Sequence, residues 1–400
     1  MNKKITKLPK DWEIKPLGDV CKLKNGFAFK SDNYIDKGIP VIRISDIKNG
    51  LIVPRNTVHV SENSVYDSYI INENDIIVAM SGATTGKFGI YKSKEKAYQN
   101  QRVGKFDIVD KKILDNNFLL HQLHSLKRQI EKDAYGGAQP NISSGRIEAM
   151  EILLPPKATQ QAIVSKIEEL FSELDKGIEN LHTAQQQLKT YRQAVLKWAF
   201  EGRLTNENVK DGELPKGWTW VKIEDATISL DNKRRPINKD ERKKRVGLIP
   251  YYGANGPIGW IDDYIFDEPL ICVVEDETFV GREIPFSYKI TGKAWVNNHA
   301  HVLKPKDDLN IDYLNYQLFY YPFLRLTTGT TGRKKLTKNA LNNAPIKVCS
   351  INEQNKIVQE IESRLSVADK MGESITQSLQ QAEGLRQSIL KKAFEGKLIN

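Results

Sequence analysis

Two kinds of hydrophobic pattern alternate along this chain. Between Ile163 and Trp198, the residues Ile167, Leu174, Leu181, Leu188 and Val195 recur every seven positions, and a second series, Ile163, Leu170, Gly177, Ala184, Tyr191 and Trp198, interleaves at steps of four and three. Such spacing predicts a helix with a coiled-coil seam. Pro155-Pro156 breaks the chain before it, Thr159 is the expected N-cap, and Gly202 falls where the helix should stop. A related series near the C-terminus runs through Ile357, Ile361, Leu365, Ala368, Ile375, Leu379, Ala382, Leu385 and Ile389, interrupted by Arg364 and Lys392. Thr159 to Phe200 makes about 60 Å of helix at about 1.5 Å per residue, longer than a globule of ~140 residues can cover. Pairing the two helices with each other hides both stripes. Elsewhere the pattern is short apolar runs such as Ile39-Pro40-Val41-Ile42-Arg43-Ile44, Asp75-Ile76-Ile77-Val78-Ala79-Met80 and Leu270-Ile271-Cys272-Val273-Val274, bounded by Gly, Asn and Asp. These predict two β-rich, mixed α/β globules, an α+β chain overall.

The chain also repeats itself. The stretch Arg192-Gln193-Ala194-Val195-Leu196-Lys197-Trp198-Ala199-Phe200-Glu201-Gly202-Arg203-Leu204 recurs, 194 residues later, as Arg386-Gln387-Ser388-Ile389-Leu390-Lys391-Lys392-Ala393-Phe394-Glu395-Gly396-Lys397-Leu398. Leu8-Pro9-Lys10-Asp11-Trp12 recurs as Leu214-Pro215-Lys216-Gly217-Trp218 at an offset of 206, so the second variable segment is 12 residues shorter. Leu214 follows Leu204 by ten positions, and counting on from Leu398 through the C-terminus to Leu8 gives the same ten. The sequence reads as a ring cut in one linker, which predicts adjacent termini, a pseudo-two-fold tandem repeat and antiparallel helices. The expected divisions are residues 1–154, 155–205, 206–348 and 349–400.

Composition adds a partner. Of 400 residues, 40% are apolar and 28% charged, with a net charge of +10. That excludes a disordered chain. No apolar run approaches a membrane span, and the first residues lack a signal-peptide stretch, so a cytoplasmic protein is expected. Residues 1–154 carry 24 basic against 18 acidic side chains and residues 206–348 carry 22 against 19, whereas the helical segments are almost neutral. Two basic segments joined by neutral connectors suit two nucleic-acid-facing surfaces. Three scattered cysteines, Cys21, Cys272 and Cys349, make neither a disulfide framework nor a zinc site.

The candidate chemistry lies in loops that recur at matching places. Gly82-Ala83-Thr84-Thr85-Gly86-Lys87 corresponds to Thr278-Phe279-Val280-Gly281-Arg282. Asn100-Gln101-Arg102 corresponds to Asn297-Asn298-His299, and Gly136-Gly137-Ala138-Gln139-Pro140-Asn141 to Gly329-Thr330-Thr331-Gly332-Arg333-Lys334-Lys335. Gly beside Lys or Arg lets backbone N–H groups and a cation approach phosphate, and Asn, Gln and Arg can make paired contacts to adenine or guanine edges. Residues 231–245 add eight basic against three acidic side chains. The candidate DNA contacts are therefore Arg43, Ser81, Thr84, Lys87, Asn100, Gln101, Arg102, Gln139 and Asn141 in the first half. In the second they are Lys233, Arg234, Arg235, Asn255, Arg282, Asn297, Asn298, His299, Arg333, Lys334 and Lys335. Tyr251, Tyr252 and Trp260 are read as core. Trp198, Phe200 and Phe394 are read as groups left over for partners. No catalytic or metal site is found: residues 82–87 are one short of a Walker A loop and Phe88 replaces its Ser or Thr, and no GxSxG or HExxH occurs.

The two Leu-Pro-Lys-x-Trp openings, the glutamines Gln161 and Gln354 after Pro155-Pro156 and Pro345, and the two Arg-Gln-x-x-Leu-Lys-x-Ala-Phe-Glu-Gly-x-Leu endings resemble the specificity subunit of Type I restriction-modification systems over essentially the whole chain. The resemblance implies two target-recognition domains, each reading half of a bipartite asymmetric double-stranded DNA site, held apart by an antiparallel pair of helices that sets the spacer. It implies no catalysis and no cofactor bound here. Two modification subunits would methylate adenine with S-adenosylmethionine, and restriction subunits would translocate and cleave DNA with ATP and Mg2+. Two other classes stay open. A stand-alone DNA-binding regulator fits the charge but has no use for such long seamed helices, and a coiled-coil scaffold explains the helices but not the repeated basic loops.

Overall fold

The computed structural model describes residues 9–48, 50–54, 57–134, 140–206, 208–210, 212–276, 279–329 and 334–399. The chain divides into two units, Met1–Asn180 with Ser378–Asn400, and Leu181–Gln377. Four helices position the loops and grooves of the molecule: α1 (Asn116–Ala134), α2 (Lys157–Phe200), α3 (Ile311–Phe319) and α4 (Ile351–Phe394). None is long and apolar enough to cross a membrane among the described residues.

Each unit is built on the same two sheets. In the first, strands Cys21–Asn25, Val103–Ile108, Ile76–Ala79 and Phe88–Tyr91 lie side by side, extended by the hairpin Ile47–Lys48 and Leu51–Ile52. The second unit repeats the first four as Thr227–Ser229, Ala300–Pro305, Leu270–Val274 and Ser287–Ile290. Beside it stands a four-stranded sheet in which one central pair is parallel, Tyr98 opposite Val41 in the first unit and Trp295 opposite Tyr251 in the second. The apolar runs are buried on both faces. Ile77 and Ala79 join Ile42, Ile71 and Ala97 of the neighbouring sheet in one cluster, while Ile76 and Val78 face Phe118, Leu119 and Leu123 of α1 in another. That is why these strands read as continuous rather than alternating apolar segments.

The long helices close the units. In the first, Ile163 and Ile167 from the start of α2 share a core with Ile389 and Ala393 from the end of α4. In the second, Val195 and Ala199 from the end of α2 share a core with Ile357 and Ile361 from the start of α4. Start against end in each unit makes the pairing antiparallel. The seam departs from the expected series: Gly177, Tyr191 and Leu385 are exposed, and Ile178, Arg192 and Arg386 take the inward steps. Arg192 pairs with Asp369 and Arg386 with Asp175, repeat-equivalent ion pairs that span the two helices. Arg386 also lies 4.7 Å from the Phe171 ring centroid.

The helix starts differ from expectation too. The helix α2 begins at Lys157, directly after the prolines, so Thr159 is inside the first turn rather than at the N-cap. The repeat partner of Gln354 is Gln160, not Gln161. Gln160 is fully buried; its Oε1 accepts from Asp115 N at 2.8 Å and its Nε2 donates to Ile113 O and Pro155 O, both at 2.8 Å. Gln354 does the same, accepting from Asn310 N at 2.7 Å and donating to Asp308 O and Cys349 O. Each amide ties a long helix to the loop before α1 or α3. At the other ends, Gly202 (φ 80°) and Gly396 (φ 68°) are left-handed, and a Cβ on either would stand 2.3 Å from Cγ of Pro215 or Pro9. The end of α4 therefore rests on Pro9, bringing the two ends of the described chain together.

Gln160→Ala should cost about 2–4 kcal/mol, because three buried hydrogen bonds are lost and their partners are left unpaired, whereas Gln161→Ala at an exposed position should be near neutral. Urea unfolding of the two variants separates them; equal losses would return the anchoring role to Gln161.

Candidate nucleic-acid interface

The end of one central strand gathers three loops in each unit. In the first, Met80 N donates to Arg102 O, Ile142 N to Met80 O and Gly82 N to Pro140 O, each at 3.0 Å, and Thr85 Oγ1 bonds both Gly82 O at 2.6 Å and Pro140 O at 3.1 Å. Residues 81–87, 100–102 and 140–142 thus meet. In the second, Glu275 N donates to His299 O at 3.1 Å and Leu336 N to Glu275 O at 2.7 Å, and Asp276 bridges Lys335 as Ser81 bridges Asn141. The main-chain bonds made by Met80 and by Glu275 are the same, N–H to one neighbouring loop and C=O to the other.

Within it, the sequence-predicted residues divide. Asn100 and Asn297 are buried, and each Oδ1 accepts from a backbone N–H two residues on, Arg102 N at 3.2 Å and His299 N at 2.8 Å. Each side chain thus helps to fold a turn. The turn presents the next two residues, exposed Gln101 and Arg102 in one unit and exposed Asn298 and His299 in the other. Asp276 accepts from His299 Nδ1 at 2.7 Å and orients its ring. Lys87, Asn141, Lys233, Arg235 and Asn255 are exposed, and Ser81, Thr84 and Lys334 half-buried. Arg43 lies beside Asp46, 3.7 Å away. Arg282 donates to Asn255 Oδ1 and Pro285 O, both at 2.8 Å. Gln139 and Arg333 lie outside the described residues. Tyr251 is core as expected, but Trp260 is 61% exposed on the outward face of its strand.

Arg234 and Lys335 also belong to a charged cluster the sequence did not reveal. Arg234 pairs with Glu275 and lies 3.4 Å from Asp231, and Lys335 Nζ reaches the other Glu275 oxygen at 2.9 Å. His301, 1% exposed, bonds Asp231 Oδ2 at 2.6 Å through Nδ1 and Leu336 O at 2.8 Å through Nε2. Burial by itself would raise both carboxyls. Burial is the largest single influence on each, but the hydrogen bonds and charges together outweigh it, from His301, Val302 N and Arg234 on Asp231 and from Arg234, Lys335 and His301 on Glu275, so both sit below their ordinary values of 3.8 and 4.5. The charges hold Lys335 and Leu336 in place, where the first unit uses Thr85 beside Pro140.

The helix ends form a matching pair of grooves. Gln193, Leu196, Lys197, Phe200 and Glu201 line one of about 470 Å3 with Tyr316 and Tyr320 of the second unit. Their repeat equivalents Gln387, Leu390, Lys391, Phe394 and Glu395 line one of about 910 Å3 with His124 and Arg128 of the first. Phe394 is 7% exposed against Phe118, and Phe200 is half-buried against Tyr313, so both are walls of their own unit rather than free surface groups; Trp198 points off another side of the turn.

With this doubled frame in view, the family follows. The model of the Type I restriction modification DNA specificity domain matches residues 9–183 and again residues 215–381. The chain belongs to the Type I specificity subunit family. It is 27% identical to the EcoBI specificity subunit of Escherichia coli, over 97% of this chain and 86% of that one, and 26% identical to the EcoKI specificity subunit of Escherichia coli strain K12, over 98% and 90%. Its fold matches the HsdS subunit of Thermoanaerobacter tengcongensis with a TM-score of 0.64 at 20% identity, covering 99% of this chain and 100% of that one. A chain from a structure of type I R-M complex assembly and conformational transition gives 0.74 at 20% identity, over 98% and 99%.

The charged cluster makes the second unit acid-sensitive. Carboxyls depressed in the fold contribute stability that is complete above their ordinary values and is lost as pH falls through the lower, folded ones. Amide exchange at Leu336, corrected for its intrinsic pH dependence, should therefore accelerate below about pH 4 while that at Ile142 does not. Glu275→Gln should remove most of the difference; identical pH profiles at the two amides would exclude the cluster as the clamp.

Proposed function

We propose that the chain reads DNA for a methyltransferase complex, each unit recognising one half of a bipartite asymmetric site. One observation carries the reading: the two units hold the same three loops with the same backbone hydrogen bonds, yet present Gln101 and Arg102 from one and Asn298 and His299 from the other. A common frame with different side chains is what two readers of different half-sites need. Planar amide and guanidinium groups suit paired contacts to adenine and guanine edges, and exposed Lys87, Lys233 and Arg235 suit phosphates. The repeat-equivalent grooves at the helix ends support two copies of one partner, the modification subunits, which bring S-adenosylmethionine. The chain itself supplies no catalytic group.

The test begins with methylome sequencing of cells expressing the chain with its modification subunit, which should yield one bipartite motif; no motif would favour a scaffold. Gln101→Ala with Arg102→Ala should then relax or abolish one half-site, at about 1–3 kcal/mol for each base contact removed, and Asn298→Ala with His299→Ala only the other. Equal loss in both half-sites from either pair would overturn the division of labour. Inserting seven residues in both α2 and α4 lengthens each by about 10 Å, and the unspecified spacer should grow by roughly three base pairs. Methylation only at the original spacing would show that the helices do not set it.

A further inference from the structure

In the first unit a cavity of about 510 Å3 opens beside the loop of residues 81–87. Four cations from four elements line it: Lys48 at the turn of the small hairpin, Lys87 at the end of the loop, Lys127 on α1 and Arg386 on α4. Lys48, Lys87 and Lys127 are exposed and make no ion pair or side-chain hydrogen bond among the described residues. Arg386 shares its charge with Asp175, and the lining holds a single carboxylate, Glu383. Several cations facing one concavity repel each other and attract an anion. The wall reports that potential: burial, then the charges of Lys127 and Arg386, push the His124 imidazole down to about 4, so it stays neutral near pH 7. Phe88 packs against His124 at 4.7 Å and gives the cavity a rigid floor.

The second unit serves as a control. There the counterpart of Lys87 is Phe286, whose carbonyl accepts from Val274 N at 2.9 Å as that of Lys87 accepts from Ala79 N at 2.7 Å. The next position is Ser287, opposite Val273 as Phe88 is opposite Val78, so no ring forms a floor there. The cavity of about 400 Å3 at the matching place has two cations, Arg282 and Lys289, both already bonded, Lys289 to Asp312, so the unpaired lysines line the cavity of the first repeat. A partner that docks twice through the same contacts would need it in both; a ligand that is itself asymmetric needs it once.

We infer that this cavity grips the phosphodiester backbone of DNA beside the half-site read by the first unit, through Lys48, Lys87 and Lys127. This rests on the DNA-reading function proposed above. Lys87 joins the two activities, because it closes the loop that begins at Ser81 in the shared frame. The grip carries no base identity, so it raises affinity without altering sequence preference.

The test uses the full chain copurified with its methyltransferase partner and a duplex containing its methylation motif. Replacing both Lys48 and Lys87 with Ala, which leaves the lining of the helix-end groove untouched, should reduce the slope of log affinity against log salt by about one to two, at roughly 0.9 for each phosphate no longer neutralised. Discrimination against single mismatches in either half-site should be unchanged. Single neutral methylphosphonates walked along the duplex should weaken wild-type binding at one or two positions flanking the first half-site, and that effect should vanish in the double variant. An unchanged slope and methylphosphonate pattern, with discrimination intact, would overturn the grip and leave the DNA-reading function standing. If the wild type shows no sequence preference at all, the reading function itself fails. ATP titrated without DNA is the remaining arm: saturable binding abolished in the double variant, with no methylphosphonate effect, would assign the cavity to a free nucleotide and overturn the DNA grip.

Discussion

The apolar seam of two 44-residue helices has to be covered, and the rest of the structure depends on how it is. A single stripe of that length exposed to water would cost far more than a small domain can offset. Antiparallel pairing covers it and has a second effect: the start of one helix and the end of the other arrive together, completing the core of each unit. Ile163 and Ala393 in one core, and Ala199 and Ile357 in the other, are as buried as any strand residue. The polar steps in the seam set direction more than stability. Arg192 with Asp369, and Arg386 with Asp175, are partly exposed pairs of the kind that adds little energy, but a parallel or shifted pairing would leave them unmatched.

On this support the two units separate what is held constant from what varies. The constant part is main chain: carbonyls and N–H groups at Met80 and Glu275 receive and donate the same bonds to the same two neighbouring loops. Backbone groups are indifferent to side-chain identity, so the loops can change composition without losing their places. The supports behind them do differ. A threonine hydroxyl suffices in the first unit, while the second buries two carboxylates against an arginine, a lysine and a histidine. Such a cluster costs desolvation and is tolerable because each carboxylate has a cation and several donors.

Much of this was legible in the sequence. The 194-residue repeat, the long helices, their antiparallel sense and the positions of the paired loops all follow from periodicity and self-similarity, because a heptad stripe or a repeated ending constrains a structure through local geometry. Even Gln160 could have been found, since the constant offset aligns it with Gln354. What the tertiary structure alone decided is how each polar side chain is used. Asn100 and Asn297 fold turns, Arg234 and Lys335 neutralise Glu275, and Leu385 fits the apolar series but faces water while Arg386 turns inward. Spacing in a sequence specifies which residues share a face, but a hydrogen bond or ion pair depends on what another segment brings within about 3 Å, and that is settled only when the chain has closed on itself.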